Sequence, residues 1–357
     1  MRLHRFILLF CLLSISLFIL YLIIQQSQME IKKSVKIFIL SSYHRGDICG
    51  DMQYRGVKEA LNSETVGRLT VEDFWLDTRH LKGKRLKRRI EEAIKRINLF
   101  DPYIIITIDD PAFRVALEHF LGREGPPYIV FSGVNRPLKY YNEEYHLFKG
   151  SRPAKNVTGV YEYIFSQEAI RFLDEWMDDN SCKLAVVYSN DTVGRILKEQ
   201  LKEELERTDL KGRIKQFIEV STLSDLKKTL KTLQEDREVC GYFPFVMSIR
   251  DDAHNKQVSF TEVAQYIKKW IKKPDLFPNA RGAAQIGLFG GIGVDFQMMG
   301  YQAGKMAAKI ILGEGIEGIP VERAKEFEVI INYNRTVECG LPPKDDLLNI
   351  ADEVIVK

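Results

Sequence analysis

The chain has 357 residues, too many for one ordinary domain and suited to two of about 150 residues each. A 45% hydrophobic and 28% charged composition excludes global disorder. Lys and Arg total 52 against 49 Asp and Glu, a net +3 that argues against a dedicated nucleic-acid binder with a dense basic face.

The first segment is set apart from the rest. Arg2, His4 and Arg5 precede the uncharged apolar run Phe6–Ile24. About 20 apolar residues cross a bilayer, whereas the apolar part of a secretory signal spans about 7–15. No small-x-small cleavage site follows, and Cys11 sits behind Phe10 rather than the small residue that a lipoprotein signal wants. The expectation is an uncleaved anchor within residues 1–34, with its basic end inside and the remainder extracytoplasmic. A cleaved signal is the alternative.

Strand and helix then alternate. Val35–Leu40 reads as a buried parallel strand ending at Ser41, Ser42, Tyr43 and His44. Asp51–Leu61 has helical spacing, Leu69–Leu76 reads as a strand, and Leu81–Ile97 reads as an amphipathic helix. The basic cluster Lys82–Arg89 opening that helix reads as a solvated face, with a phosphate- or lipid-facing patch as the alternative. Tyr103–Ile108 is a strand ending at Asp109 and Asp110, and Pro111 suits the first turn of a helix over Ala112–Leu121. Tyr128–Phe131 is a strand ending at Ser132, Gly133, Val134 and Asn135.

The pattern restarts with helices over Gln167–Met177, Val193–Arg207, Leu223–Leu233 and Phe260–Ile271. Strands alternate with them over Lys183–Tyr188, Ile214–Val220 and Val239–Phe245. A Gly-rich stretch over Gln285–Val294, a helix over Met298–Leu312 and a strand over Glu326–Ile331 complete the chain. Two βαβα series predict two doubly wound α/β lobes. Asn156–Tyr161 is the expected first crossing, and with no low-complexity linker the lobes are expected to be hinged. Open α/β sheets bind ligands beyond the carboxyl ends of their strands, where these polar and glycine residues gather.

Catalytic signatures are missing. There is no GxSxG elbow, and Gly290-Gly-Ile-Gly293 is neither GxGxxG nor followed by Lys-Ser/Thr. Cys49, Cys182, Cys240 and Cys339 form no CxxC pair and accompany no His cluster, so a zinc site is unsupported and most read as buried small hydrophobes. Cys182 and Cys240 each open or precede a strand, and the first and third strands of such a lobe are neighbours, so they are expected close together, away from ligand. Whether they bond stays open. Asp109 and Asp110 point opposite ways, so they would not easily share a metal; one is expected to cap the next helix and the other to face the cleft. His44 reads as a hydrogen-bonded scaffold residue before a ligand contact. Tyr161, Tyr188 and Phe245 read singly as core and together as flat walls for a ring.

These pieces resemble the periplasmic solute-binding components of ABC transporters, in the branch with aromatic amino-acid binders and the sensor domains of some histidine kinases. The matching stretches are Ser42-Tyr-His44, Leu76-Asp-Thr-Arg79, Ile106-Thr-Ile-Asp-Asp110, Ile129–Asn135, Asn156–Val160, Gly293–Ala308, Ile311–Gly313 and Ile319–Val321. The resemblance implies a type I periplasmic-binding-protein fold with three crossings. One lobe would span 35–160 with about 283–315, the other 161–282 with about 316–357. It implies a small polar or aromatic, amino acid-like solute held between the lobes by Ser42, Tyr43, Asp109, Asp110, Gly133, Asn135, Tyr161, Ser189, Asn190 and Asp295. It also implies ABC permease subunits as partners, and the missing motifs lead to the expectation of no catalytic residue, metal or cofactor. The Ser-Tyr-His and Asp-Asp pieces look more like the sensor branch, so a membrane-tethered module signalling to a separate histidine kinase is the alternative.

Overall fold

The computed structural model describes residues 34–341 and 343–356. The expected membrane helix over Phe6–Ile24 lies outside them, and among the described residues no helix is long and apolar enough to cross a membrane. In chain order the first part contains β1 (Val35–Ser41), α1 (Ile48–Glu64), β2 (Leu69–Trp75), α2 (Gly83–Phe100), β3 (Ile104–Ile108), α3 (Asp110–Phe120), β4 (Tyr128–Val134) and α4 (Leu138–Tyr145). A short hairpin, β5 (Phe148–Lys149) with β6 (Arg152–Pro153), leads into β7 (Val157–Tyr161). Next come α5 (Ser166–Met177), β8 (Lys183–Ser189), α6 (Thr192–Leu205), β9 (Ile214–Val220), α7 (Leu223–Glu235), β10 (Val239–Phe245), α8 (Phe260–Trp270) and α9 (Ala280–Gln285). The last part is β11 (Gly290–Val294), α10 (Phe296–Ile311), β12 (Glu322–Arg323), β13 (Phe327–Asn332), α11 (Tyr333–Glu338), α12 (Asp345–Asn349) and β14 (Glu353–Ile355).

The first sheet is parallel, in the order β12-β7-β4-β3-β1-β2. Period-two alternation gives it two apolar faces. Ile37, Ile39, Ile104, Ile106 and Val130 belong to one core cluster, while Phe38, Leu40, Ile105, Ile129 and Phe131 belong to another. Burial on both faces is why these strands read as continuous apolar runs. On the edge, helix α2 lays Arg89 and Arg96 over the Phe74 ring, with guanidinium carbons 4.1 and 5.4 Å from its centroid. One arginine of the basic cluster, Arg89, therefore stacks its guanidinium on an aromatic face.

The second lobe is built on β10-β8-β9, with β11-β13-β14 beside it. Single bridges from Tyr242 to Asp275 and from Leu276 to Gly290 link the two sets. The expected proximity of Cys182 and Cys240 is met, because β8 and β10 pair, and the two are joined by a disulfide with Cα atoms 5.9 Å apart. The Gly-rich strand β11, expected with the first lobe, is instead hydrogen-bonded to β13 in the second. Gly290 holds φ +86°, and a Cβ there would stand 2.2 Å from the Ile330 carbonyl oxygen. Close backbone approach, rather than phosphate binding, accounts for that glycine.

The chain crosses between lobes three times: after β7, between β11 and α10, and between β12 and β13. Helix α10 returns to the first lobe and packs on α1. Small residues permit this contact: a Cβ on Gly56 would stand 1.9 Å from the Gln297 carbonyl oxygen, and one on Gly300 would stand 2.2 Å from that of Gln53. Ala normally stabilises a helix over Gly by about 1 kcal/mol. Here the opposite sign is expected: Gly56→Ala should destabilise by about 2–3 kcal/mol, as overpacking forces the helices apart. Denaturant midpoints of the two proteins check this.

Candidate functional site

Strand order reverses direction between β1 and β3, and the crevice beyond their carboxyl ends is where a doubly wound sheet holds ligand. Ser42, Tyr43 and Asp109 lie there. Ser42 is fully buried; its hydroxyl donates to the Ile108 carbonyl at 2.8 Å and accepts from the Ala112 amide at 2.9 Å. It pins β1 to α3 and leaves no donor for a solute.

Asp109 takes the expected capping role. It has φ +72°, and its carboxylate caps α3 by accepting from the Asp110 amide at 2.6 Å. It also accepts from the Tyr43 hydroxyl. Burial and the neighbouring Asp110 charge raise its pKa to about 7, against the lowering effect of that hydroxyl. Asp110, by contrast, is committed to the scaffold. Its carboxylate accepts from the Asn135 amide at 2.8 Å, the Arg136 amide at 3.3 Å and the Tyr141 hydroxyl at 2.6 Å. Gly133 has φ +69°, and a Cβ there would meet the Gln53 amide at 2.6 Å, so its place is steric.

Glu162 was not singled out from the sequence, yet it completes the cluster. It follows Tyr161 at the first crossing, is 8% exposed and hydrogen-bonds with the Asn135 side chain. Burial, then the charges of Asp109 and Asp110, push its pKa up to about 8. Among the described residues no Lys or Arg forms an ion pair with Asp109 or Glu162. The adjacent Arg79 is already paired with Asp47 at 2.6 Å and lies over the Tyr43 ring at 4.8 Å. Arg79 falls within the Leu76–Arg79 stretch, so its position was legible and its role was not. Cys49 is buried beside them with its thiol pushed up to about 12, which leaves it inert as a nucleophile.

The lobes meet around this cluster. Gln200 on α6 donates to the Asn135 carbonyl at 3.2 Å and the Glu162 carbonyl at 3.4 Å. Asn279 donates to the Cys49 sulfur at 3.3 Å, and Lys139 pairs with Glu203 at 3.1 Å. A cavity of about 650 Å³ opens between them, lined by Asn135, Tyr161, Glu162, Tyr163, Gln200 and Arg323 among others. Such a volume suits a small-molecule ligand. Arg323 lies over the Tyr163 ring at 4.3 Å.

Of the expected contacts, Asn135 and Tyr161 line this cavity; Ser42, Tyr43, Asp109, Asp110, Gly133, Ser189, Asn190 and Asp295 do not. The Ser189 hydroxyl donates to Asp191 at 2.5 Å and accepts from the Met247 amide at 3.0 Å. Asn190 is exposed beside it. Asp295 caps α10 through the Met298 amide and faces Glu328. Tyr188 and Phe245 also lie outside the cavity lining. The second lobe instead contributes a helix face, α6, which strand-end reasoning could not mark. His44, read as a hydrogen-bonded residue, has a buried Nδ1 with no hydrogen-bond partner among the described residues.

Comparison with known proteins agrees with this architecture. Residues 50–355 match a family described as ABC transporter substrate binding protein. A tyrosine-binding protein of Clostridioides difficile (strain R20291) is 23% identical over 208 residues, 57% of this chain and 54% of the relative, so the match spans about half the relative's length. A ligand-free, open substrate binding protein with adhesive properties from Clostridium difficile superposes with a TM-score of 0.68 at 16% identity, covering 90% of this chain and 100% of that one. An ABC domain from Streptococcus pneumoniae in complex with L-Trp superposes with a TM-score of 0.62 at 17% identity, with the same coverages. The fold is thus the α/β periplasmic-binding-protein fold, and the chain belongs to the ABC transporter substrate-binding protein family.

Proposed function

We propose that the chain is the extracytoplasmic solute-binding protein of an ABC-type transport system, a binder rather than an enzyme, and that it takes an aromatic α-amino acid. The observation that carries this is the pair Asp109 and Glu162. Glu162 is buried and Asp109 half-buried, neither has a bonded cation, and a solute ammonium would stabilise their charged forms with charge-assisted hydrogen bonds. Tyr43 and Asn135 orient the carboxylates, and Tyr161 and Tyr163 offer flat apolar walls to a ring. The ligands of two relatives, tyrosine and L-Trp, point the same way. The Cys182–Cys240 disulfide favours an oxidising compartment, in keeping with export and attachment through Phe6–Ile24 beside permease partners.

A thermal-shift screen of amino acids, sugars and small organic acids tests the reading. A ligand at 100 times its Kd adds about 2.7 kcal/mol, an easily seen shift. Tyrosine and tryptophan are expected to stabilise the protein, and their analogues lacking the amine are not. Stabilisation by sugars alone would overturn it.

A further inference from the structure

We propose that His44, Asp77 and His80 form a binding site for a divalent zinc-class cation on the first lobe, separate from the solute cavity. The sequence spreads these residues over two loops, and the fold brings them together. One ligand atom from each lies within 4.8 Å of the others. Asp77 Oδ1 is 2.6 Å from His80 Nδ1 and 3.8 Å from His44 Nδ1, and the two imidazole centroids are 4.6 Å apart, edge to face.

The two loops are stapled to each other before any ion arrives. The Asp77 amide donates to the Tyr43 carbonyl at 3.0 Å, and the Thr78 amide and hydroxyl both donate to the Ser42 carbonyl, at 2.9 and 3.0 Å. The Leu81 amide closes the turn onto the Asp77 carbonyl at 2.9 Å. Asp77 itself is held at φ +56°, the left-handed region that Asp tolerates better than most residues. That backbone sets its carboxylate between the two rings. An independent sign is His44 Nδ1, which is shut off from solvent without a hydrogen-bond partner among the described residues. A buried nitrogen with an unused lone pair or proton is costly, and coordination would satisfy it.

Ligand chemistry selects the ion. Calcium and magnesium want oxygen donors, whereas two imidazoles and one carboxylate suit zinc and its neighbours. Donors held at about 2.0–2.1 Å in a tetrahedron stand roughly 3.3 Å apart, so side-chain rotations alone would gather these three. Nearby cations are engaged elsewhere: Arg45 with Asp73 at 2.5 Å, Arg79 with Asp47 at 2.6 Å, and Lys82 with the Thr78 carbonyl at 2.7 Å. Side-chain exposures of 38% for His44, 28% for Asp77 and 62% for His80 leave an entry path and room for water as the fourth ligand. A bound ion would brace the loop that carries Tyr43. It does not depend on which solute the cavity takes.

Calorimetric titration of Zn²⁺ into the full chain, stripped beforehand with a chelator, tests the site. One saturable Zn²⁺ per chain is expected. His80→Ala and Asp77→Asn should each weaken it by about 10- to 100-fold or more. His254→Ala, at an exposed histidine beside Asp251, should leave it unchanged. Co²⁺ in place of Zn²⁺ should give the strong visible absorption of a four-coordinate site in the parent and lose it in His80→Ala. Failure of the parent to bind Zn²⁺ saturably at one per chain, or the same affinity in parent and His80→Ala, overturns the proposal. The exposed position of His80 makes loss of folding an easily checked alternative by circular dichroism, and the parent's Co²⁺ spectrum decides if that variant does not fold.

Discussion

Glu162→Gln and Asp109→Asn are each expected to weaken an ammonium-bearing solute by about 10- to 150-fold, the loss of a charge-assisted hydrogen bond worth about 1.5–3 kcal/mol. Both variants should nonetheless be more stable than the parent in the ligand-free state above pH 8. The reason is proton linkage. Folding raises the pKa of Asp109 from 3.8 to about 7 and that of Glu162 from 4.5 to about 8. Between those limits the folded chain holds protons that the unfolded chain has released, so stability falls as pH rises through the window. Above it, both carboxylates are charged, buried and mutually repelling. The neutral amides remove that penalty, and Glu162→Gln should gain about 2–4 kcal/mol at pH 8.5. Asn at position 109 tolerates positive φ and can still cap α3, so the fold is retained. For the parent, solute affinity should rise from pH 6 to 8.5 as the acids ionise. Calorimetry and urea unfolding across that range check both signs. Unchanged affinity in both variants would place the solute elsewhere in the cleft.

Arg335→Leu is expected to destabilise the protein by about 3–5 kcal/mol, because it would strand a buried charge. Arg335 and Asp275 are 1% and 0% exposed and lie 3.0 Å apart in the second lobe. Arg335 also donates to the Ile271 carbonyl at 3.0 Å and reaches Glu338 at 3.2 Å. Asp275 accepts from the Phe289 amide at 2.8 Å, which ties the turn after α9 to the bridge between β10 and β11. Burial raises the Asp275 pKa even with the guanidinium beside it, so the carboxylate would take up a proton once the arginine is gone. The variant should therefore be least stable at high pH and recover toward pH 5. Asp275→Asn combined with Arg335→Leu should restore much of the loss, since no isolated charge is left. Thermal melts of the single and double variants at pH 5 and 8.5 measure the effect.

Much of the scaffold was legible in the sequence because burial on both sheet faces writes itself as apolar runs. Val35–Leu40, Tyr103–Ile108 and Lys183–Tyr188 each mark a strand within a residue or so. Helix starts were less visible. The start of α1 is set by Asp47, whose carboxylate accepts from the Cys49 and Gly50 amides, and the Ile48-Cys-Gly opening carries no periodic signal. The partnership of Cys182 with Cys240 followed from strand neighbourhood, and the bond itself from the geometry.

The site divided along the same line. Strand ends are local features, so the sequence by itself placed Tyr43, Asp109 and Asn135 at neighbouring strand ends, and of the three Asn135 lines the cavity. It also determined the doubly wound lobes, through residue spacing. Only tertiary structure decided which polar groups keep free capacity. Ser42, Asp110 and Ser189 spend theirs on the scaffold. Glu162 and the α6 face enter the site through the crossing after β7, and His44 meets Asp77 and His80 through loops joined across β1 and β2. Hydrogen-bond capacity and burial depend on neighbours distant in sequence, and no local pattern encodes them.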